Sequence, residues 1–252
     1  APMGAGFALL SFFWACNPGK PWWRKRELAT DFVYWLVIPL CVRYLRLGLV
    51  IVAAAGLFGI VTVEGLVAFY ADGHGPLGGL PFWAQVAIGL VATDFMLYGL
   101  HRAFHRPALW RFHAVHHAPE ELEWISAARF HPVNIMLGGI AADTVMLVAG
   151  IAPGALAALA TLVLVHSGFV HANLNWTLGP FKYVLAGPVF HRWHHTLPER
   201  GGERNFASTF PILDVLFGTF YMPEGKLPDA YGIADKTFPP GFWAQFLYPV
   251  RR

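Results

Sequence analysis

Long apolar runs dominate the chain, and they set the expected architecture. A helix that crosses a bilayer needs about 20 mostly apolar residues. Four stretches qualify: 47–70, charged only at Glu64; 80–100, charged only at Asp94; 132–150, charged only at Asp143; and 153–172, with no charge apart from its histidines. Two other apolar runs, 7–16 and 32–42 with Pro39 inside it, are too short to cross alone and read as interfacial helices. The polar intervals carry the orientation. ADGHGPLGG at 71–79 and GIAPG at 150–154 contain no Lys or Arg, and all 18 basic residues lie before or at the start of the first span, in 101–131, or after 181. Basic residues favour the cytoplasmic side. The expected fold is therefore an all-α integral membrane protein with four transmembrane helices in two hairpins plus interfacial helices. Both termini, the 101–131 segment and the 173–252 tail lie in the cytoplasm, and the whole chain forms one membrane-embedded domain.

Composition agrees with this picture. The chain is 56% hydrophobic and 13% charged, against about 25% charged for a soluble domain. Cys16 and Cys41 both sit in apolar stretches and suggest neither a disulfide framework nor a zinc knuckle. The net charge of +3 is small and no nucleic-acid motif is present, so no nucleic-acid partner is expected. The N-terminal stretch lacks the basic start of a signal peptide. Abundant Ala and Gly with short loops favour a bacterial inner membrane.

Histidines change the picture from architecture to chemistry. Residues 101–117 read HRAFHRPALWRFHAVHH, and 191–195 read HRWHH. His101 and His105 form an HxxxH pair; His113, His116 and His117 form one HxxHH box and His191, His194 and His195 another. On a helix, positions i, i+3 and i+4 share a face, so each box is expected to present its imidazoles together. The predicted topology brings all three clusters to the cytoplasmic side, forming a helical histidine-rich metal domain that caps the spans. Neutral imidazole binds iron, zinc, copper and nickel. Eight ligands exceed what one ion takes, so two ions are the natural count. The boxes contain no carboxylate, unlike soluble di-iron bundles, and no HExxH zinc signature.

The motifs HRAFH, HAVHH and HRWHH, together with HHAPEELEWISAARFHP, HANLNW and NFASTFPILDVLFGTFY, resemble the fatty acid hydroxylase and sterol desaturase superfamily of membrane histidine-box di-iron enzymes, over roughly residues 90–222. The resemblance implies two Fe ions, with O2 as co-substrate; zinc is able to replace iron in purified protein. It adds His171 as a ligand, making nine: His101, His105, His113, His116, His117, His171, His191, His194 and His195. Where some members carry a tenth histidine this chain has Asn175, either a water-mediated ligand, an open coordination position, or an ordinary polar residue. His166 lies about 7.5 Å deeper than His171 by helix rise, as a further ligand or a residue behind the ligands. His131 sits at the mouth of the 132–150 span, either behind the ligands or on the rim of the site, or as a plain surface residue. Asp94 lies two turns before His101, where a carboxylate fixes a ligand's tautomer; Asp143 is a weaker candidate for the same role. Arg102, Arg106, Arg111 and Arg192 would meet phosphate headgroups or dock an acidic electron donor.

The expected activity is O2-dependent hydroxylation of a membrane lipid: a sterol, fatty acyl chain, carotenoid or amino-lipid. A desaturase using the same site is the alternative. The lipid enters from the bilayer, and electrons come from an external reductase, ferredoxin or cytochrome, because the chain has no GxGxxG turn, flavin motif, CxxC cluster or haem-attachment motif. The rival classes are a zinc-dependent membrane hydrolase and a metal- or haem-binding transporter. Transport sites lie near mid-membrane, whereas these boxes lie at the rim.

Overall fold

A computed structural model of the chain describes residues 2–19, 21–71 and 73–250. Among the described residues it is helical, without strands, apart from one isolated bridge between Thr196 and Tyr231. Helix α1 (Pro2–Trp14) is followed by the long α2 (Leu28–Phe58) and the short α3 (Val63–Tyr70). Helices α4 (Phe82–Phe104) and α5 (Pro107–His117) meet at a tight corner. The chain then forms α6 (Pro132–Val148), α7 (Pro153–His171) and α8 (Pro188–His194), and ends with α9 (Ile212–Leu216) and α10 (Phe242–Leu247).

Among the described residues, three helices are long and apolar enough to cross a membrane: α2, α4 and α7. Helix α6 is 17 residues, roughly 25 Å at 1.5 Å per residue, and packs against α2, α4 and α7. Large apolar side chains point outward along all four, among them Leu40 and Val52 on α2, Val91 and Phe95 on α4, Val145 on α6 and Leu164 on α7. A soluble protein seldom exposes so continuous an apolar belt; in a membrane it meets lipid.

The first span departs from the sequence expectation. Rather than running 47–70, the helix begins at Leu28, absorbs the 32–42 run with Pro39 inside it, and ends at Phe58. Gly59 stops it by taking a left-handed conformation, φ 69°, from which its N–H reaches back to Ala54 and Ala55. Thr62 then starts α3, its side chain accepting from the Gly65 N–H at 3.1 Å. The turn lies inside an uninterrupted apolar run, so hydropathy passes over it. The 7–16 run likewise belongs to α1, which extends back to Pro2.

The loops at 71–79 and 150–154, expected at one end of the bundle, are locked together there. The His74 N–H donates to the Gly150 carbonyl at 3.0 Å, and the His74 ring donates to the Leu147 carbonyl at 3.1 Å. Gln85 accepts from the Ala152 N–H at 2.8 Å. Tyr70, Val86, Met146, Ile151, Ala155 and Leu159 pack beneath this junction. Gly150 has φ +101°, and an added Cβ would fall 1.8 Å from the His74 carbonyl oxygen. Gly150→Ala is therefore expected to destabilise the protein by roughly 3 kcal/mol or more, read as a lowered thermal midpoint in detergent. From this end α4 climbs 16 residues between Gln85 and His101, roughly 24 Å, to the opposite end, where the histidines collect.

Candidate metal centre

Four segments bring the histidines together. His101 lies in the last turn of α4 and His105 caps that helix. Pro107 restarts the chain as α5, which carries His113, His116 and His117. His171 ends α7, and α8 carries His191 and His194, with His195 as its cap. Among the described residues these nine form two groups. One holds His101, His105, His113, His117 and His194; the other holds His116, His171, His191 and His195. Within each group the candidate ligand atoms lie within 4.8 Å of one another.

This division corrects the expectation that each HxxHH box aims all its imidazoles one way. Both boxes are split. On α5, His113 and His117 enter the first group and His116 the second; on α8, His191 and His195 enter the second and His194 the first. At about 100° per residue, i+4 lies about 40° to one side of i and i+3 about 60° to the other. Each box thus gives its i, i+4 pair to one group and its middle histidine to the other, and so bridges both.

The hydrogen bonds fix which nitrogen faces inward. Nδ1 of His101 donates to the Phe206 carbonyl at 2.7 Å, that of His116 to Arg129 at 3.1 Å, that of His171 to Ser167 at 2.7 Å and that of His194 to Arg204 at 2.7 Å. Nδ1 of His113 donates to Asn134 Oδ1 at 2.7 Å. A carbonyl oxygen only accepts, so Nδ1 carries the proton and Nε2 presents a lone pair. Nε2 of His171 lies 3.3 Å from Nε2 of His116 and 3.2 Å from Nε2 of His191. His116 and His171 both hold their proton on Nδ1, so their facing Nε2 atoms cannot hydrogen-bond; bare lone pairs at this distance repel unless a cation lies between them. Such separations match the ligand–ligand edges of a polyhedron with metal–nitrogen bonds of about 2.0–2.1 Å. Nε2 of His101, His105 and His194 is buried with no hydrogen-bond partner. The residues fit a pair of metal ions.

Electrostatics favour the same state. Burial, reinforced by neighbouring imidazoles, pushes His113, His116, His117, His191, His194 and His195 well below the usual 6.5. Burial thus favours the neutral form of these six rings, the form that metal binding requires.

The remaining candidates fall elsewhere. Asp94 does not touch His101. Its two carboxylate oxygens accept the Thr209 and Phe210 N–H groups, each at 2.8 Å, while Asp214 accepts those of Phe206 and Ala207 at 2.7 and 2.8 Å. The pair clamps the 206–210 loop whose Phe206 carbonyl holds His101, so Asp94 supports the ligand at one remove. Asp94→Ala leaves two buried N–H groups unpaired, at about 1–3 kcal/mol each, and is expected to weaken metal binding about 10- to 100-fold, measured by competition with a chelator. His131 lies outside both groups; it caps α6 through the Val133 N–H and donates to the Phe246 carbonyl at 3.2 Å. Asn175 is exposed, and its N–H bonds the Trp14 carbonyl at 2.9 Å. Asp143 pairs with Arg46 between α6 and α2. Arg192 is buried rather than at a headgroup surface, and binds the carbonyls of Leu122 at 2.8 Å and His171 at 3.2 Å. Arg102 covers the rings of Tyr98 and Phe206.

Asn134, Asp214 and Arg129 were not singled out from the sequence. Arg129 is fully buried and pairs with Asp31 and Glu27, fixing the segment whose carbonyl holds His116. A lone Asn or Asp in the first turn of a helix gives no periodic signal; the only hint is that all three residues lie within or beside the box-flanking text.

A cavity opens beside the histidines. Its walls are Leu97 and Phe104 of α4, Ile135, Gly138 and Gly139 of α6, and Val163 and Val170 of α7, and His101, His113, His116, His171 and His191 also line it. Residues 136–140 form a π-helical turn, a widening of the helix often found at functional sites. An apolar cavity lined in part by candidate metal ligands is suited to a lipid.

The family described as fatty acid hydroxylase matches residues 86–219. Similar proteins include ornithine lipid hydroxylase of Rhizobium tropici, 31% identical over 97% of this chain and 73% of that protein. Alkylglycerol monooxygenase of Homo sapiens is 29% identical over 63% of this chain and 35% of that protein. A very-long-chain aldehyde decarbonylase of Oryza sativa subsp. indica is 33% identical over 56% and 55%. The chain spans about a third of the monooxygenase and about half of the decarbonylase. No solved structure matches. Matched over more than half its length, and carrying the boxes on which the resemblance rested, the chain belongs to the fatty acid hydroxylase family, and it is a membrane oxidoreductase.

Proposed function

We propose that the protein is an O2-dependent di-iron hydroxylase that inserts oxygen into a C–H bond of a membrane lipid, and that the lipid is of the amino-acid-containing class. The observation that carries this is the facing of His116 and His171, two Nε2 lone pairs 3.3 Å apart with both protons committed to backbone carbonyls. Ornithine lipid hydroxylase, which aligns with nearly the whole chain, supports hydroxylation and the amino-lipid class. Iron, when bound by the nine histidines, supplies the reductive activation of oxygen that imidazoles alone cannot perform.

The chain's own residues do the rest. Backbone carbonyls of Arg129, Ser167, Arg204 and Phe206 hold the ligand tautomers before metal arrives. The apolar walls of the cavity exclude water and lay the lipid with one carbon toward His101, His116 and His171. The lipid enters sideways between α4, α6 and α7, and the histidine face lies on the cytoplasmic side, as the distribution of Lys and Arg suggests. A separate reductase, ferredoxin or cytochrome delivers two electrons there.

Lipid mass spectrometry of cells with and without the gene tests the reading. A lipid gaining the mass of one oxygen atom supports it; a loss of two hydrogens instead assigns a desaturase. Protein purified from iron-supplemented, zinc-depleted medium is expected to hold iron and consume O2 with a reductant. Iron-loaded protein that consumes no O2 and oxidises no lipid would overturn the proposal.

A further inference from the structure

Of the polar side chains beside the metal centre, His166 lines the lipid cavity, outside both histidine groups. Asn17 and Arg192 do not line that cavity and belong to neither group, but they hold the segments that carry the four-histidine ligands. Arg192 is 1% exposed. Its Nη1 donates to the Leu122 carbonyl at 2.8 Å and to the His171 carbonyl at 3.2 Å. Leu122 follows α5, which bears His116; His171 ends α7; and Arg192 itself lies on α8 beside His191. One guanidinium thus joins the three segments that supply all four ligands of this group. The last carbonyls of a helix have no partner within it, so the His171 carbonyl needs a donor from elsewhere. Asn17 fixes that donor. Its Oδ1 accepts from Arg192 Nη2 and from the Tyr231 hydroxyl, each at 2.5 Å, and its Nδ2 donates to the Pro228 carbonyl at 2.8 Å. Its backbone N–H and carbonyl pair with the Asn173 side chain, both at 2.9 Å. Every polar group of Asn17 is engaged. Asp in its place would lack the donor for Pro228, and Ala would lack the acceptor for Arg192.

We infer that Asn17 and Arg192 are positioning residues for the four-histidine group: Asn17 holds the guanidinium, and the guanidinium holds the backbones that bear His116, His171, His191 and His195. The inference rests on the division of the histidines into two groups and not on the lipid chemistry. Asn17, Pro228 and Tyr231 all lie outside the family-matched residues 86–219, so segments near the two ends of the chain complete a centre whose ligands lie within the match. Segments α5 and α8 also carry ligands of the five-histidine group. Its members His101, His113 and His194, however, are held by Phe206, Asn134 and Arg204, none of which bonds Asn17 or Arg192. His171 is the ligand whose own carbonyl the guanidinium binds, so loosening falls first on the four-histidine group. Arg suits the task because its planar fork of donors reaches several acceptors at once, which a Lys ammonium on a flexible stem does not reproduce.

The test uses full-length protein in detergent, loaded anaerobically with ferrous iron and titrated with a ferrous chelator. Wild type is expected to release iron in two phases, one of which is missing from His116→Ala. In Asn17→Ala that phase should weaken about 10- to 100-fold, the usual cost of losing a residue behind the ligands, while the other phase stays as in wild type. Arg192→Lys keeps the charge but not the fork, and should weaken the same phase. Tyr231→Phe removes one hydroxyl and should weaken it roughly 3- to 10-fold, the worth of one hydrogen bond; it carries the test if Asn17→Ala does not fold. General destabilisation would move both phases together. Single-phase release from wild type, equal weakening of both phases in the variants, no change in either phase, or an Arg192→Lys that matches wild type overturns the inference. No lipid enters the assay. Selective weakening in a protein that oxidises no lipid therefore supports this inference while counting against the hydroxylase reading.

Discussion

His116→Ala is expected to empty the four-histidine group and lower lipid oxidation more than about 100-fold. Loss of a residue behind a ligand costs about 10- to 100-fold, and loss of the ligand itself costs more. Metal analysis of the purified variant should show about half the wild-type metal, because the five-histidine group shares no ligand with its neighbour. His171→Ala should behave alike, its Nε2 being the other half of the 3.3 Å contact. His105→Ala should be milder. It leaves four ligands in its group, and His105 is weakly oriented, with Nδ1 3.5 Å from the half-exposed Glu203 carboxylate. If His116→Ala kept full metal content, the two-group assignment would fail, whatever happened to activity.

Gly139→Leu is expected to block the lipid while sparing the metal. Gly139 lines the cavity, and open space lies where its Cβ would sit. The Leu side chain fills room that the substrate needs; a steric cost of about 1–3 kcal/mol gives roughly a 5- to 140-fold loss in kcat/KM. Oxygen uptake with a small apolar substrate should fall less than turnover of the full lipid. Unchanged lipid turnover would show that substrate reaches the histidines by another route. Since Gly139 lies in the π-helical turn, circular dichroism and metal content must match wild type for the comparison to stand.

Hydropathy outlined α4, α6 and α7 to within a few residues, because each is a separate apolar run ended by Gly, Pro or a charged corner. It misjudged α2, where Gly59 and Thr62 break the helix inside apolar sequence while Pro39 does not break it. A turn that is itself apolar leaves no mark in a hydropathy pattern. The nine histidines were legible as ligand candidates from spacing and resemblance. What Asp94 does was not: its carboxylate lies on the face toward the 206–210 loop, more than a hundred residues away in the chain.

The sequence by itself determined that the protein is helical and apolar, and that its imidazoles occur in boxes at helix ends, since periodicity and composition are local properties. Only the tertiary structure decided how the boxes divide and which ring nitrogens of His101, His113, His116, His171 and His194 face inward. Those outcomes depend on partners such as the carbonyls of Arg129, Arg204 and Phe206. No spacing rule encodes the position of a backbone carbonyl contributed by a distant loop.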